Sequence, residues 1–523
     1  MCAHEQGSCE HPTMSCCPSC CPQPAEGSGI SRRGFLGGLG GTAVGGFVMS
    51  GLSWSALSAS EAPDKPCPDR KPLVVKPLFT YGTYRHRDKA SWRPWGGVET
   101  PKNAEDEMTR IRGELKKLCQ TADFPMKMLP LSGLRSKADL AKVGDLKEAD
   151  AVVIYAAAAG GDIFDAVAKM GKDIVFFVRH KSGPVYLWYE IIHPRYLRAH
   201  KDQLVKQGMS YQDVVVDSQD EILMRLRALC GLKNTYGTTI IAVGGPSGWA
   251  HGEAPALARE RWKLDIRTLS YPELGKLIAA ARKDPKAMAL AKKKTDDYLK
   301  QPGVTLECKR DFVEKAYVMD DIFRRVMAKA GARALTLNQC MGTIMRVSET
   351  TGCMNLMWLN DEGFVAFCES DFVVIAAGIL MNGISGTPPF LHNPTYPHDG
   401  IITLAHCTAP RRMNGKDLEP ARILTHYESD YGAAPKIEFT KGQKVTVVNS
   451  DFAEQCWLGL TGTIADVPFL PICRSQLDLK VDGCCDKLAE KMRGFHWMMV
   501  YGDYLREIGY ALSKTKIGWE TLA

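Results

Sequence analysis

Two apolar runs place the strongest constraint on how this chain can fold. Residues 149–161 read ADAVVIYAAAAGG and residues 172–179 read KDIVFFVR, so both are continuous apolar segments that end at glycine or at a charged residue. A strand that is apolar on both faces must be covered on both, as in parallel sheets with helices on each side. A similar run begins at Leu73, and helical periodicity follows from Asn103 to Asp123. The pattern predicts a Rossmann-like α/β domain over residues 71–230.

A second, smaller Rossmann-like α/β domain is predicted over residues 231–303. It begins with the strand TTIIAVGG and continues through the strand LDIRTLSY and a helix that starts at Pro272. The loop Pro246–Trp249 has too few glycines, in the wrong order, for a dinucleotide-binding loop. It is either a plain strand-to-helix turn or a loop that lines a substrate site. The lysine-rich segment from Asp284 to Lys300 is typical of a solvated connecting helix.

The remaining residues, 304–523, are predicted to form an α+β domain with a small antiparallel β-barrel. An amphipathic helix from Arg310 to Ala330 leads into the strand RALTLNQC. The later segments ARILTHYES, KVTVVNS and LTGTI are short and alternating, and Gly, Pro or Asp residues separate them. Such strands suit a small barrel that packs on an α/β layer. A length of 523 residues agrees with about three domains.

The N-terminal segments carry signals of a different kind. Residues 1–30 hold six of the eighteen cysteines and little apolar surface, so we interpret them as a disordered tail, with thiolate binding of zinc or copper(I) as the alternative. Residues 31–60 contain Arg32 and Arg33 before an apolar, glycine-rich stretch, which resembles a twin-arginine export signal. An N-terminal anchor helix is the alternative. The signal implies transport by the export machinery for folded proteins and a periplasmic or cell-envelope location.

The net charge and the distribution of the cysteines limit the classes of function that the sequence supports. The formal net charge of +7 is small for this length, and no long basic run accompanies it. Nucleic acid is therefore not indicated as a partner. Outside the N-terminal tail the cysteines are scattered, and Cys119, Cys230 and Cys340 lie in apolar segments, as buried free thiols do.

The stretch from Thr350 to Pro410 concentrates residues that can bind a metal ion. Its candidate ligands are carboxylates, imidazoles, thiols and one amide: Glu362, Glu369, Asp371, His392, His398, His406, Cys353, Cys368, Cys407 and Asn360. They alternate with short apolar runs, and polar groups at the ends of apolar strands can converge on one cation. Solvated loop residues are the alternative interpretation. Glu369 and Asp371 are two residues apart, so on a strand both carboxylates share one face.

Seven motifs follow one another in an order that resembles a known superfamily. They are TTGC, LNDEG, CESD, NP…LAHCTAP, THYES, CRSQ and GFH…VYGDY. This order resembles the L-fucose isomerase-like sugar isomerases, which also include L-arabinose isomerase. The resemblance extends from about Leu335 to Tyr504, and before that only the general α/β organisation agrees.

The resemblance implies a set of site residues. It implies that the metal ligands are Asp371, His496 and, as the nearest candidate for a further carboxylate, Glu349. Either Glu349 or Glu369 completes the ligand set and the other glutamate is the base, so Glu369, Glu349 and Asp371 are the candidate catalytic residues. The candidate substrate-binding residues are His406, which the resemblance implies, together with Asn360, Trp497 and His426. His426 either lines the sugar pocket at the barrel mouth or belongs to a plain cross-strand pair. Two positions depart from the family pattern, because Phe495 and Trp497 flank the late histidine, which predicts a larger and more apolar site wall.

The implied reaction is the interconversion of an aldose and a ketose. A base moves a proton between C1 and C2 of the open-chain sugar through a cis-enediol, and a Lewis acid across O1 and O2 stabilises the developing charge. The resemblance implies Mn²⁺ or another divalent cation such as Mg²⁺ or Zn²⁺, and a homo-oligomer, either a trimer or a hexamer. The alternative is an exported, non-catalytic protein of the same fold that binds carbohydrate or metal.

Overall fold

The computed structural model describes residues 66–249, 251–451 and 455–522. The predicted tail (1–30) and the predicted export signal (31–60) lie outside these residues. No helix within the described ranges is both long enough and apolar enough to span a membrane.

In the described residues the first sheet has six strands. The strands are β1 (Leu73–Thr80), β2 (Met126–Met128), β3 (Ser132–Leu134), β4 (Ala151–Ala156), β5 (Asp173–Val178) and β6 (Val214–Val216). The helices of this part are α1 (Pro101–Thr121), α2 (Lys137–Leu140), α3 (Gly161–Ala168), α4 (Leu187–Ile191) and α5 (Gln219–Thr235). The strand order is β2-β1-β4-β5-β6, with β3 also paired to β1, and every pair is parallel. All of β4 is buried, as its apolar run predicts.

The second sheet is also parallel and lies in the middle of the chain. Its part of the chain contains the strands β7 (Thr239–Val243), β8 (Asp265–Leu269), β9 (Val304–Leu306), β10 (Ala334–Leu337) and β11 (Val365–Cys368). The helices are α6 (Ala254–Trp262), α7 (Tyr271–Lys283), α8 (Pro285–Leu299), α9 (Arg310–Ala330), α10 (Thr343–Ser348), α11 (Cys353–Asp361) and α12 (Ile375–Ser385). The order is β11-β10-β7-β8, so the sheet continues across the predicted boundary at residue 303.

The barrel is built from the last third of the chain. This part contains β12 (Phe390–Pro394), β13 (Ile401–His406), β14 (Ala421–His426), β15 (Tyr431–Ile437), β16 (Lys444–Asn449), β17 (Cys456–Asp466), β18 (Ser475–Val481), α13 (Cys485–Lys491), β19 (Trp497–Tyr501), α14 (Leu505–Ser513) and β20 (Gly518–Thr521). Within the described residues, six strands close in the order β16-β19-β12-β13-β18-β17, and β17 returns to β16. Each of these pairs is antiparallel. The predicted fold class, with parallel sheets followed by a small antiparallel barrel, is confirmed.

One segment expected in the barrel lies elsewhere. The strand β14, from ARILTHYES, pairs with β15 and with β9 in a separate sheet. Alternation marks a segment as a strand with one buried face, but it does not identify the neighbour that supplies the hydrogen bonds. That choice depends on contacts between distant parts of the chain.

Close helix packing joins the first sheet to the metal-ligand region. Helix α12 is buried from Ile375 to Ile384, and it lies against α5. A Cβ atom at Gly383 would come within 2.9 Å of the Gly231 carbonyl oxygen. Glycine at these two positions therefore allows the helices to approach backbone to backbone. Helix α12, which follows the segment after β11, is therefore fixed against α5.

Candidate metal centre

The carboxylates Glu369 and Asp371 lie at the carboxyl edge of the second sheet. The strand expected to carry them ends at Cys368. Glu369 and Ser370 then have positive φ angles of 63° and 48°, a conformation that costs roughly 1–3 kcal/mol at each non-glycine residue. A left-handed turn, rather than strand alternation, therefore sets the positions of the two carboxylates. Such strain concentrates at functional sites.

The order of the strands makes this edge a natural place for a ligand. The chain passes from β7 outward to β8 and later places β10 and β11 on the other side of β7. In open parallel sheets, ligands bind at the carboxyl ends of the strands where the order reverses. The loop after β7 is tied to the segment after β11, because Ser247 N donates to the Ser370 carbonyl (3.1 Å) and Phe372 N donates to the Ser247 carbonyl (3.0 Å).

His496 bridges the two carboxylates from a position 125 residues beyond Asp371. Its buried imidazole has Nδ1 2.8 Å from Asp371 Oδ2 and Nε2 3.2 Å from Glu369 Oε2. Val373 N donates to the other oxygen of Asp371 at 3.1 Å. Burial lowers the pKa of His496, but the Asp371 and Glu369 carboxylates outweigh burial and raise this pKa to about 9. In the metal-free protein His496 is therefore cationic at neutral pH.

A second imidazole faces Glu369 from the barrel. His406 is the last residue of β13, and its Nε2 lies 4.0 Å from Glu369 Oε1. The centroids of the His406 and His496 rings are 5.8 Å apart. His392 is buried in β12 nearby, and burial, with smaller effects of His406 and His496, lowers its pKa to about 3. His392 is therefore neutral and adds no charge to the site.

Glu369, His406 and His496 can together hold a metal ion. One ligand atom from each lies within 4.8 Å of the others, and all three residues are buried. Asp371 contacts the opposite nitrogen of His496, and a carboxylate in that position fixes the tautomer and orientation of a metal-binding histidine. Asp371, predicted as a ligand, thus lies where it can orient a ligand. Two imidazoles and one carboxylate suit Mn²⁺, Fe²⁺ or Zn²⁺.

Comparisons with known proteins do not identify a family for this chain. No protein-family model matches the chain, and no curated protein matches it.

The loop Pro246–Trp249 contributes an aromatic wall to the site. Trp249 stacks on Phe495 with ring centroids 4.5 Å apart and meets the edge of His496 at 5.3 Å. Of the two interpretations of this loop, its position fits a site-lining loop. Trp249 carries a positive φ of 50°, and nothing in its local sequence indicates that it meets Phe495.

A second feature beside this wall is also invisible in the local sequence. His251 Nε2 lies 3.9 Å from Asp451 Oδ1, and the Asp451 side chain is mostly buried. Asp451 follows Ser450, whose hydroxyl donates to the Val373 carbonyl at 3.2 Å. Asp451 is therefore a further carboxylate close to the segment that carries Asp371.

The structure does not bring Glu349 into the metal-ligand group. This residue follows helix α10 with a φ of 57°, and its carboxylate pairs with Arg282 Nη1 at 2.7 Å and Lys315 Nζ at 3.0 Å. Hydrogen bonding from Lys315, followed by the charge and hydrogen bond of Arg282, lowers the pKa of Glu349. The side chain is half exposed. Its surroundings are those of a surface ion pair.

The other predicted substrate-binding residues take structural positions. Asn360 Nδ2 donates to the Ala366 carbonyl at 2.8 Å and its Oδ1 accepts from Ala366 N, which ties α11 to β11. Trp497 is buried inside the barrel. His426 ends β14, outside the barrel, with Nδ1 3.1 Å from Ser429 Oγ. Only His406 of this predicted set belongs to the metal-ligand group.

A second group of possible ligands lies where two cysteines approach Glu369. Ligand atoms of Cys340, Cys368 and Glu369 also lie within 4.8 Å of one another. Cys340 belongs to the turn after β10, and Cys368 is the last residue of β11. This group uses Cys340, which the apolar sequence pattern assigns to packing.

Proposed function

We propose that this protein is a divalent-metal-dependent aldose–ketose isomerase whose metal is held by Glu369, His406 and His496. The observation that carries the proposal is the convergence of these three buried ligands at the carboxyl edge of the second sheet. The order of the seven motifs adds support from outside the structure. The proposed substrate is an open-chain pentose or deoxy sugar.

The donor set fits a Lewis-acid site. Three protein ligands leave coordination positions for a substrate, as in catalytic sites and unlike closed structural ones. Mn²⁺, Mg²⁺ or Zn²⁺ bound there would polarise the oxygen atoms on C1 and C2 of the sugar. Two imidazoles favour Mn²⁺ or Zn²⁺ over Mg²⁺, which prefers an all-oxygen shell.

In this proposal the residues of the site have separate roles. Asp371 orients His496 through Nδ1. Glu369 takes the proton from C2 of the aldose and returns it to C1, while a proton moves from O2 to O1, so the atoms balance. Trp249 and Phe495 form an apolar wall that limits the access of water to the enediol.

A second function is favoured by the position of Glu349. Because this carboxylate is committed to Arg282 and Lys315, a single carboxylate joins the two imidazoles in the metal-ligand group. A protein that binds metal or carbohydrate without catalysis needs no further base. In that case the aromatic wall would serve recognition alone.

An isotope experiment distinguishes the two functions. The protein is loaded with Mn²⁺ and incubated in D₂O with a panel of pentoses and 6-deoxyhexoses, and two signals are measured: ketose formation, and deuterium at C1 of the ketose or at C2 of the recovered aldose. The isomerase proposal expects both signals for at least one sugar, and their loss in His496→Gln. Glu307→Gln, which changes an exposed carboxylate paired with Arg422, is the matched control. Full Mn²⁺ occupancy without exchange on any sugar would overturn the isomerase proposal and leave the binding function.

Export in the folded state is part of the same proposal. It rests on Arg32 and Arg33 in the sequence. Replacing both with lysine should trap the protein in the cytoplasm, which cell fractionation measures. Unchanged export of the double variant would argue against this route.

A further inference from the structure

The Cys340, Cys368 and Glu369 group is built differently from the imidazole group beside it. Cys368 and Glu369 are consecutive residues at the end of β11, and Cys340 comes from the turn after the neighbouring strand, β10. Adjacent parallel strands thus deliver two thiols and a carboxylate to one point. Both cysteines are free thiols.

Glu369 faces both groups at once. Its Oε1 lies 3.9 Å from Cys340 Sγ and 4.0 Å from His406 Nε2, while its Oε2 lies 3.2 Å from His496 Nε2. A carboxylate with ligands on both sides can bridge two metal ions, as in sites where paired ions lie about 3.5–4 Å apart.

The spacing of the sulphur group fits a small thiophilic ion. Bonds of about 2.3 Å to sulphur and about 2.1 Å to oxygen in a tetrahedral site hold these two ligand atoms roughly 3.6 Å apart. The distance of 3.9 Å between Cys340 Sγ and Glu369 Oε1 needs only a small adjustment. Thiolate ligands select Zn²⁺ or Cd²⁺ over the hard cations Mg²⁺ and Mn²⁺.

We propose that Cys340, Cys368 and Glu369 form a second metal site, selective for a thiophilic divalent ion such as Zn²⁺, and that Glu369 bridges it to the Glu369, His406 and His496 site. The proposal goes beyond the isomerase function and shares only Glu369 with it: when ions fill both sites, both Glu369 oxygens are ligands, and the carboxylate is then occupied and cannot act as the base. Binding replaces the two S–H protons with two sulphur–metal bonds and releases both protons to solvent. No oxidant or reductant takes part.

Other thiols extend the sulphur-rich side of the centre. Cys353, Cys407 and Cys473 pack together with Ala434 in a small cluster of their own. They are not needed as ligands in the proposed site.

A titration with Co²⁺ alone, under reducing conditions, tests the site by its colour. Cobalt bound to thiolate gives a charge-transfer absorption in the near ultraviolet that cobalt bound to nitrogen and oxygen lacks. We expect two Co²⁺ ions per chain and a thiolate band in the wild type. Cys340→Ser should bind one ion and lose most of the band, whereas His496→Gln should lose one ion and keep the band. Cys230→Ser, a buried thiol in α5, is the matched control and should match the wild type.

Alkylation of the unmodified protein gives a test that no folding defect can confuse. Cys340 is only partly buried, so iodoacetamide should reach it in the metal-free protein. Added Zn²⁺ should slow its modification about tenfold or more, as measured by peptide mass spectrometry. Cys119, which is exposed although its apolar segment predicted a buried thiol, should react equally with and without Zn²⁺.

The outcomes separate this proposal from the isomerase function. A wild type that binds a single Co²⁺ without a thiolate band, with Cys340 unprotected by Zn²⁺, would overturn the second site and leave the imidazole site intact. A thiolate band that Cys340→Ser removes, in a protein that shows no isomerase activity, would support the second site while the isomerase proposal fails.

Discussion

Two buried clusters of charged side chains each follow a strand of a parallel sheet, but the carboxylates in the two clusters have different cationic partners. Arg179 directly follows β5, and its guanidinium binds Glu107 at 2.5 Å and Glu114 at 2.8 Å. Glu107 is also paired with Arg110 at 3.1 Å. Glu369 directly follows β11, and its partners are imidazoles rather than guanidinium groups.

The difference lies in the chemistry of the cation. A guanidinium keeps its proton under all ordinary conditions and matches a carboxylate with two parallel hydrogen bonds. The Arg179 cluster is therefore closed, in the sense that its guanidinium cannot give up a proton to make room for a metal ion. An imidazole can release its proton and offer a lone pair to a metal, so the Glu369 cluster can exchange a proton for an ion. Burial of charge alone does not distinguish a structural network from a metal site.

Breaking the closed cluster should produce the largest loss of stability. Arg179→Met leaves Glu107 and Glu114 without their shared guanidinium and should cost about 3–5 kcal/mol, measured by urea unfolding. Metal stoichiometry should stay unchanged. Arg112→Met, which removes an exposed pair with Glu105, is the control and should cost less than about 1 kcal/mol. An equal loss in both variants would contradict the comparison.

A change in the Glu369 cluster should weaken metal binding and have little effect on stability. Glu369→Gln removes a charged ligand and should weaken Mn²⁺ binding by about 100-fold or more, measured by calorimetry. The metal-free variant should keep its fold, because the Asp371 carboxylate still pairs with His496 Nδ1 at 2.8 Å. Glu349→Gln should bind Mn²⁺ as the wild type does. Loss of binding in Glu349→Gln with retention in Glu369→Gln would reverse the assignment.

A partly buried carboxylate outside both clusters extends the comparison to the effect of pH on stability. Asp361 accepts hydrogen bonds from the backbone N–H groups of Arg411 and Arg412, and burial raises its pKa from 3.8 to about 7. The pKa of Asp361 is higher in the folded protein than in the unfolded protein. Its contribution to the free energy of unfolding is therefore complete below pH 3.8 and is lost as pH rises through 7. The expected loss between pH 5 and pH 7 is about 2 kcal/mol. Asp361→Asn should remove this slope in denaturant titrations at the two pH values, and an unchanged slope would refute its origin in Asp361.

The smallest effect is expected where a carboxylate acts through another ligand. Asp371→Asn keeps a hydrogen-bond acceptor for His496 Nδ1 but removes the charge. Mn²⁺ affinity should fall by about tenfold, the range found for residues that orient a metal ligand. Asp399→Asn changes a carboxylate beside the exposed His398 and is the control. A loss as large as that of Glu369→Gln would make Asp371 a direct ligand.

The sequence carries much of the architecture because its signals are local. Runs such as AVVIYA in β4 are apolar on both faces and require a covered parallel sheet. Helix α1 begins where Thr100 and Asn103 form a capping box, a feature of four neighbouring residues. The residue types at Glu369, Asp371 and His496 likewise point to metal chemistry without knowledge of the fold.

Only the tertiary structure decides which of these residues meet. Glu349 lies twenty-two positions before Asp371, but the helix α10 before it ends in a left-handed turn that directs it to Lys315 and Arg282. Trp497 and Phe495 are two residues apart, yet one is buried in the barrel and the other stacks on Trp249.

The physical reason is the range of the interactions. Strand and helix signals depend on residues a few positions apart, whereas a metal site depends on side-chain directions at strand ends that are set by packing between layers. The sequence by itself determined the parallel sheets, the existence of a barrel and the ligand types. The left-handed turn at Glu369 and the thiol pair Cys340 and Cys368 were decided by the pairing of β10 with β11 in the second sheet. The approach of His406 and His496 was decided when the barrel packed against that sheet.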